Sequence, residues 1–167
     1  VPALEYVQRN DSLIFWGTAD PSFLNKEVYY DSGVYHFLST AETELYFSDG
    51  NYHTTHLGAG WAWDDYSSGY SAERSAFPVY GNVLSEIADH NVLHVSPDFF
   101  APYFQQGEQK EDTEIERQRD ENIFVVHPSA KIAPAPVEEI NIPIRLDSLT
   151  FLALLSSMPM PLSWMLK

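Results

Sequence analysis

The stretch Gly58-Ala59-Gly60-Trp61-Ala62-Trp63-Asp64-Asp65-Tyr66 runs on through Tyr70-Ser71-Ala72-Glu73-Arg74-Ser75 to Pro78-Val79-Tyr80-Gly81-Asn82. It is the densest block of large and charged side chains in the chain. In an extended backbone Trp61 and Trp63, at i and i+2, share one face of a strand, because successive side chains alternate sides. The adjacent Asp64 and Asp65 then point to opposite faces, so at most one carboxylate stands beside the rings. Glycines before the block and Asn82 after it bound it as a unit. Runs of this kind, aromatic and alternating, predict sheet rather than a helical bundle.

Working outward, the same punctuation recurs. Ser12-Leu13-Ile14-Phe15-Trp16 reads as a strand closed by Gly17 and an Asp20-Pro21 turn. Asp31-Ser32 can cap a short helix whose Val34, Phe37 and Leu38 lie on one stripe. Glu44 to Ser48 reads as a strand before an Asp49-Gly50 turn, and Phe77 to Tyr80 as another. Val83–Ile87 and Val92–Ser96 flank Ala88-Asp89-His90-Asn91 as a hairpin would. Asn122–Val126 and Ile140–Ile144 complete the strands. Asp147 is placed to cap a helix over Ser148–Ser157 that is apolar on nearly every side, so part of it requires cover.

Two segments differ in composition. Residues 105–121 carry seven acidic and three basic residues and a single large aliphatic, Ile115. They read as a solvated excursion or long hairpin tip. Ala133-Pro134-Ala135-Pro136 (133–136) reads as a stiff, Pro-rich connector. The expectation is therefore an α+β, strand-rich fold. It has six to eight strands in one or two antiparallel sheets and two or three helices. Residues 1–167 form a single accessory region, with two nested subdomains as an allowed arrangement.

Composition narrows function. The 167 residues hold 44% hydrophobic and 14% aromatic side chains, enough for a core. A formal net charge of −15 with nine Lys and Arg argues against nucleic acid and against a polybasic membrane surface. Cysteine is absent, so neither disulfides nor a thiol nucleophile is available. The most apolar run, Leu149 to Leu155, is far short of a transmembrane segment. Val1 to Tyr6 lacks the charged and apolar regions of a signal peptide, and the chain reads as an excised part of a longer protein.

Residue spacing argues against metal binding and paired acid–base chemistry. His53-x-x-His56 has an odd separation that splits the pair across a strand. His90 and His94, four apart, would clamp zinc only on a helix, whereas Val92, Leu93 and Val95 favour a strand. Asp49-Gly50-Asn51 lacks the remaining ligands of a calcium loop. Adjacent Asp64 and Asp65 aim apart, unlike a glycosidase pair that must converge on one bond. The sequence calls for no metal and no cofactor.

The G-x-G-W-x-W-D-D-Y…Y-S-A-x-x-S-A block, together with Trp16-Gly17-Thr18-Ala19-Asp20-Pro21-Ser22-Phe23, resembles penicillin-binding proteins of the D-alanyl-D-alanine carboxypeptidase/endopeptidase type. The resemblance runs over roughly Ser12 to Phe104 and is weaker beyond. In that family the block lies in a long insertion between the first and second active-site motifs. The family's serine hydrolase core needs S-x-x-K, S-x-N and K-T-G. None occurs here: Lys26 follows Ser22, and Lys167 follows Ser163, by four positions, and Lys131 follows Ser129 by two.

The resemblance therefore implies a non-catalytic insertion of a peptidoglycan enzyme of the periplasm or another extracellular, cell-envelope setting. Its implied partners are the hydrolase domain of the parent chain and the peptidoglycan stem peptide. It also implies that Trp61 and Asp64 meet the amine-bearing side chain of that peptide at the mouth of the site. Gly69-Tyr70 stand where the family commonly has a run of tyrosines. Glu73-Arg74 reads as a local ion pair, and Trp63, Asp65 and Tyr70 as structural. A different class of function also fits the composition: an extracellular carbohydrate-binding β-domain stacking sugars on exposed tryptophan and tyrosine. A domain used purely for assembly is a third reading. Exposure of Trp61 and Trp63 separates the first two.

Overall fold

The computed structural model describes residues 2–28, 32–62, 64–89, 92–131 and 139–158. The 133–136 connector, His90 and Trp63 lie outside them. Nine strands form three three-stranded sheets, with two α-helices and four short 3₁₀ helices among the described residues, so the class is α+β and strand-rich. By its contacts the chain divides into two compact units. Unit 1 comprises 1–56, 74–82 and 146–167; unit 2 comprises 57–73 and 83–145.

In unit 1, β1 (Leu4–Arg9), β2 (Ser12–Gly17) and β3 (Glu44–Phe47) form a sheet in the order β1-β2-β3. β1 and β2 are a tight antiparallel hairpin, but β2 and β3 run parallel. The reason lies in the connection, which contains α1 (Gly33–Ser39). A parallel neighbour needs a crossover of that length, whereas a hairpin turn gives an antiparallel one. Leu13 and Phe15 alternate inward with Gly17 along β2. A Cβ on Gly17 would fall 2.2 Å from the Ala76 carbonyl oxygen, so only glycine lets residues 76 and 77 pass so close.

Ser32 occupies the N-cap of α1 and makes no side-chain capping bond there; Asp31, the other residue of the cap read from the sequence, lies outside the described residues. Val34 and Leu38 are buried as the stripe requires, while Phe37 is half-buried against Tyr6. α2 (Ser148–Ser157) starts where its sequence signal places it, with the Thr150 N–H donating to Asp147 Oδ1 at 2.7 Å. It buries Phe151, Leu154 and Leu155 and leaves Leu149 79% exposed. The core of unit 1 is a ring cluster. Phe151 lies 4.4 Å from Phe47 and 5.0 Å from Phe77 between centroids, and Phe77 reaches Phe15 and Phe23. Such pairs contribute about 0.5–1.5 kcal/mol each beyond simple burial.

Residues 77–80 are buried as a strand would be, yet they form none. Tyr80, Gly81 and Asn82 all take positive φ, and three left-handed residues end any extended run. Asn82 fixes this corner from within: its Oδ1 accepts from the Val79 N–H and its Nδ2 donates to Ser75 at 2.8 Å.

In unit 2, β4 (Val83–Asp89) is central, with β5 (Val92–Ser96) and β9 (Glu139–Pro143) antiparallel on its two sides. The other sheet places β8 (Phe124–His127) between β6 (Phe104–Gln106) and β7 (Glu114–Arg117). β6 is parallel to β8 and β7 antiparallel. With four antiparallel and two parallel pairings, the sheets are mostly antiparallel. Phe100, Phe124 and Ile142 are fully buried in this unit.

Candidate functional site

Residues 58–73 of the double-tryptophan block belong to unit 2, and those described form no strand. Gly60 has φ +91°, and the Asp65 N–H turns back to the Ala62 carbonyl at 3.1 Å. Two 3₁₀ turns follow, Asp65–Ser67 and Gly69–Ser71. Short polar side chains drive this local winding, as they do wherever they satisfy the backbone better than a ladder would. The Ala62 N–H donates to Asp65 Oδ2, and the buried Ser71 hydroxyl donates to the carbonyls of Asp65 and Ser68. A hydrogen bond with Asp65 raises the Tyr70 phenol pKa above its ordinary value.

The block is moored to the β7 end of its sheet by Arg117. That side chain, with 1% exposure, pairs with Glu73 and donates to the Tyr66 carbonyl at 3.2 Å, while its guanidinium stands 5.8 Å from the Tyr66 ring. Its main chain exchanges hydrogen bonds with the Ser67 hydroxyl. Gly69 packs so closely on Asn141 that a Cβ there would sit 2.5 Å from its carbonyl oxygen. Glu73 is thus the partner of Arg117, where the sequence suggested a local pair with Arg74. The polar run 105–121 likewise contributes Arg117 to the core, although its other residues are exposed or half-buried.

On this anchored loop Trp61 is half-buried, and Asp64 is exposed at the entry to the first 3₁₀ turn with no capping bond from its side chain. They flank the turn closed by the Ala62 carbonyl. Asp65 is half-buried and engaged within the loop, whereas Tyr70 is 67% exposed. The exposed pair of tryptophan rings on which a sugar platform turns is not found among the described residues, since Trp61 is half-buried and Trp63 lies outside them.

Unit 1 holds a second feature, a cleft of about 570 Å³ between the 47–56 segment and the start of α2. His53 and His56 both border it, with Asp49, Tyr52 and Ser148. Among the described residues no group of three His, Asp or Glu side chains is arranged to hold a metal ion. His94 is exposed on β5. This cleft had no sequence signal beyond the turn at Asp49-Gly50, because its walls come from segments about a hundred residues apart. Among the described residues no helix is long and apolar enough to cross a membrane.

No protein-family model matches the chain, and no curated protein sequence does. In three dimensions the chain is similar to penicillin binding protein 4 (dacB) from Haemophilus influenzae, seen in its crystal structure, with a TM-score of 0.55 and 15% sequence identity. The likeness covers 87% of this chain and 35% of that one, so the chain spans about a third of that protein's length. At this identity the likeness is one of fold alone.

Proposed function

We propose that this chain is the accessory, non-catalytic insertion of a peptidoglycan D-alanyl-D-alanine carboxypeptidase/endopeptidase, acting in the cell envelope beside the hydrolase domain of the same polypeptide. The observation that carries this reading is a coincidence of two independent likenesses. The double-tryptophan block resembles that family in sequence, and the backbone resembles part of a penicillin-binding protein over most of the chain. The missing S-x-x-K, S-x-N and K-T-G motifs fit a region without a nucleophile of that chemistry.

In this reading Asp64 and Trp61 receive the amine-bearing side chain of the stem peptide. An exposed carboxylate three positions from a half-buried indole suits an ammonium on an alkyl stem: charge meets charge while the methylenes lie on apolar surface. A test compares Asp64→Asn with wild type in the intact enzyme. Loss of one charge-assisted hydrogen bond should lower kcat/KM on amine-bearing stem peptides by about one to two orders of magnitude. A minimal substrate lacking the amine should be nearly indifferent. Equal losses on both substrates would make Asp64 a structural carboxylate and end the assignment.

A further inference from the structure

We propose that β1 is a self-association edge, through which two copies of this chain pair antiparallel about a two-fold axis at Val7. The contact is built from unit 1 alone and is independent of the roles given to Trp61 and Asp64, which belong to the other unit.

The backbone comes first. β1 is the outer strand of its sheet, with β2 on one side and no strand on the other among the described residues. The two-residue turn at Asn10-Asp11 decides which of its groups β2 uses. Arg9 stands opposite Ser12 across that turn, and at the far end the Thr18 N–H donates to the Ala3 carbonyl at 3.3 Å. Hydrogen-bonded positions alternate along an antiparallel ladder. Arg9, Val7 and Glu5 therefore direct their N–H and C=O groups to β2, whereas those of Gln8, Tyr6 and Leu4 point outward. The register is unbroken from Leu4 to Arg9, with neither a bulge nor a proline to blunt the edge.

Side chains then select the partner. Glu5, Val7 and Arg9 lie on the outer face, because they stand opposite Trp16, Ile14 and Ser12, the positions that alternate with buried Leu13 and Phe15. All three are exposed. Glu5 accepts from the Trp16 indole at 2.9 Å, and Arg9 makes no ion pair among the described residues. An antiparallel mate centred on Val7 sets Val7 against Val7, and Glu5 against Arg9 of the second copy in both directions. The same register brings Tyr6 opposite Gln8, so the outward backbone groups of the two copies can exchange hydrogen bonds. Moving the centre to Tyr6 or Gln8 loses both ion pairs, setting Glu5 against Val7 or Asp11.

The apolar residues follow the same axis. Val7 stands beside Ile14 and Ile14 beside Tyr46, a row across all three strands in which Val7 is 37% and Tyr46 42% exposed. Pairing at Val7 joins two such rows into one that crosses six strands. Apolar and opposite-charge pairs across neighbouring strands are what stabilise a sheet. The other edge, β3, is shorter and carries a single charge, Glu44, so it offers no such match. A contact through one short strand is smaller than a standard interface, which places the dimer in the weak class, with a Kd between about 10 μM and 1 mM.

The test uses this chain in about 0.15 M salt, where repulsion between two copies is screened beyond about 8 Å. Sedimentation equilibrium across that concentration range should show the mass rising from 19.0 kDa towards twice that value. The Tyr6 and Gln8 amides should shift with concentration in ¹⁵N spectra. Glu5→Arg and Arg9→Glu each set like charges together and should each weaken the dimer about tenfold or more. An equimolar mixture of the two variants should restore it, because every charge at the edge then meets its opposite. Gln8→Pro removes an outward N–H while sparing the bonds to β2, and should abolish pairing. Amide dispersion checks the fold of each variant; should Glu5→Arg not fold once the Trp16 indole loses its acceptor, Arg9→Glu and Gln8→Pro still decide. A mass of 19.0 kDa throughout overturns the proposal. So does a dimer that Arg9→Glu and Gln8→Pro leave intact, or a mixture of folded charge variants that stays monomeric.

Discussion

Arg117 carries unit 2 in a way its neighbours in sequence conceal. It stands in a run of Glu, Gln and Asp, yet its guanidinium is fully buried against Glu73, 44 positions away. A charge out of water is tolerable only when paired, and here the pair also fixes the loop that presents Trp61 and Asp64. Arg117→Met should therefore destabilise unit 2 by about 3–5 kcal/mol, because buried Glu73 loses its guanidinium partner. The double variant Arg117→Met with Glu73→Leu should recover much of the loss, since removing both charges removes the uncompensated one. Urea unfolding followed by tryptophan fluorescence measures both. A double variant as unstable as the single one would show that packing, not charge, dominates. Gly17 and Gly69 make the complementary point: each is required by a neighbour's backbone and not by a turn. No local pattern announces that kind of need.

At the scale of elements, α2 shows how much a cap and an apolar run determine unaided. Asp147 supplies a side-chain acceptor for an otherwise orphaned N–H, and the helix begins at the next residue. Asp147→Ala should cost about 1 kcal/mol, seen as a lower urea midpoint for unit 1, and Asp147→Asn should cost less because the amide oxygen can still accept. No change on Asp147→Ala would mean that packing of Phe151, Leu154 and Leu155 alone sets the helix start. Strands were equally legible where apolar residues alternate, as in β2 and the β4–β5 hairpin. They were not legible at 61–66 and 77–80, where the composition is right for a sheet. There, Ser71, Asp65 and Asn82 capture backbone groups that a ladder would have used. The parallel partnership of β2 with β3 follows from the helix between them rather than from either strand.

For the molecule as a whole, the chain crosses between its two units four times, and the second crossing falls between Glu73 and Arg74. The two halves of the Glu73–Arg74 dipeptide thus serve different units. The loop bearing Trp61 and Asp64 has its mooring within unit 2, while the cleft beside the start of α2 is built wholly within unit 1. Neither unit contains a serine with a lysine three positions on, the arrangement that lets an amine take the nucleophile's proton. The chain by itself should therefore remain unlabelled by a fluorescent penicillin under conditions that label an intact D,D-peptidase, as read on a denaturing gel. A covalent adduct on any serine would overturn the reading of the chain as an accessory region.

By itself the sequence determined the strand-rich α+β class, the span of α2, the β4–β5 hairpin and the absence of the hydrolase motifs. All of these rest on interactions within a few residues: alternation, a cap, a turn, a spacing. Only the tertiary structure decided that Glu73 meets Arg117, that the tryptophan block winds into 3₁₀ turns, and that Asp49, Tyr52 and Ser148 border one cleft. Those outcomes depend on groups dozens of residues apart satisfying one another's charge and hydrogen bonds in the same small volume. A linear pattern carries no record of which distant partner will be there.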